Sequence, residues 1–584
     1  MRRLALAVLV YALVALPAMA LDRNAFLFTR YDLQVRLDPH QHGLSVEGTV
    51  EVRNASRSPQ SQVALQISSS LHWLSVLADG AEVEWLEQGY TSDIDHTGLL
   101  HEAIVKLDKP LAPGGSLRLN VRYSGTVQKD TTRLERIGTP ADIARRSDWD
   151  EISDGFTALR GAGFVVWYPV SMDAANLSQG DELFEILRDW REHEASALLR
   201  VHLSRAAPAE GDGSKYTFVT NGTESATGPE ITSEFRGVDP VIVLLGDPAE
   251  STDRPRVAAY CTVPHSNYAR DYMAAAETVI PPLEVWFGTP RRKVVIVELT
   301  DPNALPYDAG AYYFVPMRSV LPAAAAEVAM ARPVAHAMLD SPRPWIREGL
   351  TGFAQALIRE RQAGRRAALA YLGQFSSALV VAEAESNNLQ PSSRPPGENS
   401  SAQPPVIAPQ SLINTADDVF FRTKAAYVWW MLRDMVGDRG LQWALARYQP
   451  AADHDTAYMQ RLIEKQDGGK RDLEAFFDDW VYRDRGLPQL RVVSAYVRHT
   501  LGEQTVTAVT VENLGGAWCE VPVTVRSAIG ENTVRLVVPG KSTAMIRVPF
   551  EAAPNEAEVN DGSIPEAERR DNVVPVTVAP PAEH

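Results

Sequence analysis

Cysteine is nearly absent from this chain: two occur in 584 residues, Cys261 and Cys519. That excludes a disulfide framework and leaves two arrangements, one inter-domain disulfide in an oxidising compartment or two buried thiols. Positive charge is in deficit. Lys and Arg number 57 against 74 Asp and Glu, a net charge of −17, which argues against a nucleic-acid-binding surface. Beyond the first twenty residues no run is long and apolar enough to cross a bilayer, so the mature chain should carry no membrane span. Internal repeats are absent. So is an intact His-Glu-x-x-His: His-Glu pairs occur only at His101-Glu102 and His193-Glu194, and neither has a His three residues after the Glu.

The length suggests three or four domains at roughly 150 residues each. With 45% hydrophobic and 22% charged residues, the composition is globular. Residues 1–20 read as a secretory signal peptide. Arg2 and Arg3 precede an apolar run from Leu4 to Leu16, and Ala18-Met19-Ala20 is a small-x-small cleavage site. The expected destination is secreted or periplasmic.

Residues 21–250 read as a β-domain. Tyr31 to Asp38, Gly48 to Val52 and Leu117 to Tyr123 alternate at period two, the last following a Pro113-Gly114-Gly115 turn. Phe164 to Pro169 reads as a buried strand, Asp181 to Arg191 as a helix, and Leu199 to Leu203 and Val241 to Leu245 as strands. Residues 251–486 are more helical. A helix from Tyr268 to Trp286 should be kinked or divided at Pro281-Pro282. Lys293 to Leu299 should be a buried strand, and Tyr307 to Pro316 an edge strand. Asn387 to Gln410, rich in Pro, Ser, Asn and Gln, reads as a disordered surface loop. Residues 487–584 turn β again, with strands at Val506 to Val511, Val521 to Val525, Val534 to Val538 and Met545 to Val548. An immunoglobulin-like sandwich of about 90 residues fits, followed by an acidic tail after Pro554. The fold class is multidomain α+β.

The stretch from Val328 to Glu360 bears most on function. Its second half, Trp345-Ile346-Arg347-Glu348-Gly349-Leu350, opens a helix with Phe353, Ala356 and Leu357 at helical spacing. Its first half is Ala-rich and carries His336. Further on, Phe421-Arg422-Thr423-Lys424-Ala425-Ala426 leads a second apolar helix. Asp472 to Val481, with Phe476, Phe477 and Trp480, closes at Gly486-Leu487-Pro488.

These segments resemble the aminopeptidase-N family of zinc peptidases, the gluzincins, as does the strand from Leu119 to Gly125. In that family His-Glu-x-x-His supplies two zinc ligands and a general base, and Trp-Leu-x-Glu-Gly supplies the third ligand. The resemblance implies an N-terminal β-domain, a thermolysin-like helical domain and a C-terminal β-sandwich. It aligns His336 with the second histidine ligand and Glu348 with the glutamate ligand. Arg332 then stands at the first histidine and Pro333 at the general base. A guanidinium has no lone pair for zinc, and proline moves no proton. Arg422 falls where the family keeps an oxyanion-binding tyrosine. Gly310, Ala311, Tyr312 and Tyr313 fall where an edge strand holds substrate, without that strand's amine-binding glutamate. Tyr427 reads as core packing.

Arg332 lies four positions before His336. Its charge can replace that of zinc by pairing with Glu348 and joining the two helices, although a residue before proline is disfavoured in a helix, which would set Arg332 just outside it. Three functions follow. The first is an exported, catalytically impaired peptidase homologue that binds peptide or polypeptide and needs no cofactor. The second is an active zinc peptidase with an unusual ligand set, completed by His265 or Asp340 if folding brings either close. The third is an interaction protein acting through its β-domains.

Overall fold

The computed structural model describes residues 21–206, 216–227, 230–246, 249–317, 321–388, 411–466, 472–499, 505–550 and 553–578. The expected signal peptide lies outside the described residues, as does the expected loop from 389 onward; Asn387 and Asn388 end the helix Ser376–Asn388. The chain divides into two compact units. One comprises residues up to 249 with 299–305, and the other comprises 250–298 with 306 onward. Among the described residues no helix is long and apolar enough to cross a membrane.

The first unit is built mainly from β-sheets. Phe26–Asp38 pairs antiparallel with Gly43–Asn54 and parallel with Leu198–Arg205 inside an eight-stranded sheet. Its alternation works as the period-two rule requires: Tyr31, Leu33, Val35 and Leu37 are buried, while Gln34 and Arg36 face solvent. A three-stranded sheet, Gln60–Ser68, Leu99–Leu111 and Trp85–Thr91, lies in the same unit, as does a four-stranded sheet that includes Val241–Leu245. Phe164 to Pro169 is not a strand, although Val165 to Pro169 are buried. The Asp95 carboxylate accepts the Val166 N–H, the Val166 carbonyl accepts from Ser68, and only Val170 makes a lone bridge, with Gln66. Burial there is satisfied without a ladder.

The second unit opens on a five-stranded sheet. Val257–Thr262, Val294–Glu298 and Tyr312–Val315 run parallel, and Tyr307–Ala309 returns antiparallel on the outside. The helix Ser266–Phe287 makes the crossover between the first two. Pro281 and Pro282 lie inside it, and it continues undivided to Gly288. Ala323–Met338 and Pro344–Ala363 follow as an antiparallel-type helix pair joined by a short turn. A π-helical turn, Phe420–Lys424, leads into Ala425–Leu445, whose run is interrupted at Gly437 (φ 75°, ψ 162°).

The C-terminal strands form two four-stranded sheets that share one hydrophobic core with the helices. Phe476, Phe477 and Trp480 are buried at that junction, and the Trp480 indole N–H donates to the Trp518 carbonyl at 2.7 Å. The segment after Pro554 is not merely a tail: Glu556–Val559 pairs with Cys519–Ser527. No disulfide joins Cys261 and Cys519, and both thiols are buried.

Candidate functional site

Arg332, Pro333 and His336 all lie within the helix Ala323–Met338. This corrects the local expectation for Arg332. Its pre-proline position is disfavoured in a helix, but eleven of the sixteen residues here are buried, and tertiary packing outweighs the local preference. Arg332 and His336 are four apart and so share a face.

Glu348 projects from the next helix, Pro344–Ala363. Close packing sets its position. Trp345 stacks on Trp429 with ring centroids 5.2 Å apart and planes 13° apart. Gly349 lets this helix approach the helix that carries Trp429, since a Cβ there would lie 2.6 Å from the Ala425 Cβ and 2.9 Å from the Trp429 ring. The neighbouring glycine is therefore a packing requirement of the segment that presents Glu348.

Asp308 is the third member, from the outer strand Tyr307–Ala309. The sequence reading did not single it out, although the stretch containing it was recognised. The available signal was one acid in an aromatic stretch, two residues before Gly310. Asp308, His336 and Glu348 each bring one donor atom into a group whose members all lie within 4.8 Å of one another. His336 Nε2 is 3.5 Å from Asp308 Oδ2 and 3.6 Å from Glu348 Oε2. It is buried and has no hydrogen-bond partner among the described residues.

The guanidinium of Arg332 completes the cluster. Nε donates to Asp308 Oδ1 at 3.0 Å, Nη1 to Thr351 Oγ1 at 3.0 Å, and Nη2 to Glu348 Oε2 at 2.5 Å. Thr351 is one helical turn beyond Glu348 and was also missed in the sequence. Arg347 Nε donates to Glu348 Oε1 at 3.1 Å. The Arg332 side chain is 10% exposed, its carboxylate partners 14% and 15%.

The electrostatics follow from this geometry. Burial alone would raise the Asp308 carboxyl; His336, Arg332 and Arg422 overcome it and hold it well below the usual carboxylate range. Burial likewise opposes ionisation of Glu348, but His336, Arg332 and Arg347 bring it down to about 2. Arg332 loses hydration, yet its two carboxylates hold it more firmly protonated than a free guanidinium.

The remaining expected positions are distributed as follows. Arg422 sits in the π-helical turn, 3.3 Å from Asp418. It is half-exposed, and it is close enough for its charge to act on Asp308. Gly310 (φ 61°) and Ala311 form the turn between two strands, while Tyr312 and Tyr313 belong to the inner strand, paired to Val294–Glu298 on one side and Tyr307–Ala309 on the other. The expected edge strand is therefore one strand further out: a strand paired on both sides cannot receive an added peptide, and among the described residues Tyr307–Ala309 is the edge strand on this side of the sheet. Neither His265 nor Asp340 joins the cluster. His265 pairs with the buried Glu298, and Asp340 is exposed just past its helix. Tyr427 is buried in the core.

No protein-family model matches the chain, and no curated protein matches it. Among solved structures, it is similar to an M1 zinc metallopeptidase from Deinococcus radiodurans, at 16% identity over 76% of this chain and 90% of that one, TM-score 0.42. It is also similar to a glutamate-to-alanine mutant from that organism bound to a Tyr-Ser-Ala substrate, at 18% identity over 76% and 91%, TM-score 0.42. A third is a two-domain M1 zinc metallopeptidase mutant bound to L-arginine, at 17% identity over 76% and 92%, TM-score 0.42. At these identities the similarity assigns no residue of this chain a role.

Proposed function

We propose that this chain is an exported relative of the aminopeptidase-N-type zinc peptidases that binds peptides without hydrolysing them. On this reading the Arg332 guanidinium stands where such an enzyme keeps its metal. The observation that carries the proposal is the bridge from Asp308 through Arg332 to Glu348.

Zinc does not fit this arrangement. The oxygen of Glu348 that faces His336 is the same Oε2 that accepts from Arg332. The charges of Arg332 and Arg347 already balance those of Asp308 and Glu348. A dication would stand beside a permanent cation, and each pair of unit charges at 4 Å costs on the order of 4 kcal/mol at an effective dielectric of 20. Position 333 offers no group to take a proton from water. The chain's own residues can still bind peptide: the outer strand at Asp308 and Ala309 can receive an extended segment by main-chain pairing, and half-exposed Arg347 and Arg422 can meet its carboxylates.

One observation favours a second reading, an active zinc peptidase. The separations of 3.5 and 3.6 Å from His336 Nε2 are near the roughly 3.3 Å between ligands at the corners of a zinc tetrahedron. That reading requires the Arg332 side chain to swing out of the cluster.

Two assays on the purified chain decide between them. Fluorescence anisotropy with a labelled Tyr-Ser-Ala tripeptide should show saturable binding that Arg422→Glu weakens. Aminoacyl-anilide hydrolysis should stay at background whether zinc is chelated or added. Turnover that appears with zinc and vanishes with Asp308→Asn would establish the second reading instead, and absence of peptide binding would refute the first.

A further inference from the structure

We propose that His72, Glu87 and His101, in the first unit, form a surface site for a borderline divalent metal ion, zinc foremost. The site is independent of the cluster around Arg332. One donor atom from each residue lies within 4.8 Å of the others, and the residues come from three strands. His72 belongs to Leu71–Ala78 in the eight-stranded sheet; Glu87 and His101 belong to Trp85–Thr91 and Leu99–Leu111 in the three-stranded sheet.

Local hydrogen bonds build the pair of histidines. His101 Nδ1 donates to the Leu71 carbonyl at 2.7 Å, and the Trp73 indole donates to the His101 carbonyl at 3.1 Å. These two bonds bracket His72 and hold its ring against that of His101, with centroids 4.9 Å apart. The first bond also commits the Nδ1 proton of His101, which leaves Nε2 as the nitrogen with a free lone pair, as a ligating imidazole requires. Trp73 is itself anchored on Tyr123, centroids 5.2 Å apart.

Glu87 completes the donor set. Gly89 is the residue paired directly opposite His101, so no side chain stands between the ring and Glu87 two positions away on the same face. The Glu87 carboxylate lies beside the His101 ring, with Oε1 3.5 Å from Nδ1, so meeting an ion on Nε2 takes a change of the Glu87 rotamer. Two imidazoles and a carboxylate are a zinc donor set that leaves the fourth position to water. Zinc ligands stand roughly 3.3 Å apart. His72 and Glu87 are exposed, so rotamer changes can close the gap without backbone movement. A bound ion would tie the two sheets together and raise the stability of the unit by mass action.

The test is titration of the full chain with zinc, followed by calorimetry and thermal unfolding, with cobalt absorbance reporting the ligand field. The expected result is one ion per chain. His72→Ala and His101→Gln should each weaken it by about 10- to 100-fold or more, Glu87→Gln should weaken it less, and Asp308→Asn should leave it unchanged. Circular dichroism should show the variants folded, because His72 lies on the surface. Zinc binding that survives His72→Ala with His101→Gln, or no binding at all, would overturn the proposal. Binding that survives that pair but falls with Asp308→Asn would place the ion at the other cluster and count against the proposed function as well.

Discussion

Arg332 and Glu348 lie on successive helices, and Nη2 of the first donates to Oε2 of the second at 2.5 Å. The same guanidinium reaches Asp308 on the outer strand and Thr351 one turn along. One planar cation thus joins two helices and a sheet, a task that suits arginine's rigid fork and not the point charge of lysine.

Arg332→His should convert the cluster into a metal site. It would place two histidines four apart on one helix face, beside Glu348 and Asp308. In a His72→Ala, His101→Gln background, elemental analysis should find one zinc per chain where the unsubstituted residue gives none. Peptide hydrolysis should still be absent, because Pro333 supplies no base.

Acid should weaken the second unit through this cluster. The folded Glu348 carboxyl is lowered to about 2, against about 4.3 for an unperturbed glutamate. A depressed carboxylate contributes stability above its unfolded value and loses it as pH falls toward the folded one. The loss should therefore run from about pH 4.5 down to about 2, with Asp308 adding in the same direction. Urea unfolding across that range should show the slope, and Arg332→Met should move it to higher pH.

Glu383 should act with the opposite sign. Burial raises its carboxyl to about 7 even though Lys424 lies 2.6 Å away, because Asp484 shares that lysine. A folded state that binds the extra proton loses stability as pH rises from the unfolded value through about 7. Glu383→Gln should flatten the fall in unfolding free energy between pH 5 and 8; an unchanged slope would remove Glu383 as its source.

Much of the architecture was legible because its signals are local. The alternation of Tyr31, Leu33, Val35 and Leu37 needs only the pleat, and the spacing of Phe353, Ala356 and Leu357 needs only the helical period. The site was legible only along single elements: His336 with Arg332 on one helix, and Glu348 on the next. Asp308 was not, because it reaches the cluster across a sheet-to-helix packing that no local pattern encodes. The strand order that puts Tyr307–Ala309 outside Tyr312–Val315 is likewise a tertiary fact. A proline rule misled at Pro333, where a buried helical face outweighs the local preference, and at Pro281-Pro282 the helix is not divided.

Gly349→Ala should destabilise the second unit by about 1–3 kcal/mol, since the added methyl meets Ala425 and Trp429 in a packed core. Chemical unfolding measures the cost, and the near-ultraviolet signal of the Trp345–Trp429 stack should change with it. A neutral substitution would mean that the two helices yield easily, and that Glu348 is less firmly placed than its surroundings imply.

The most direct measurement is the coupling between Arg332 and Glu348. Unfolding free energies of the unsubstituted chain, Arg332→Met, Glu348→Gln and the double variant form a closed cycle. Each single change should cost about 3–5 kcal/mol by stranding a buried charge, and the double variant should recover at least about 1.5 kcal/mol of the summed loss. Strict additivity would contradict the account, for it would mean that the guanidinium is not what holds Glu348 in place.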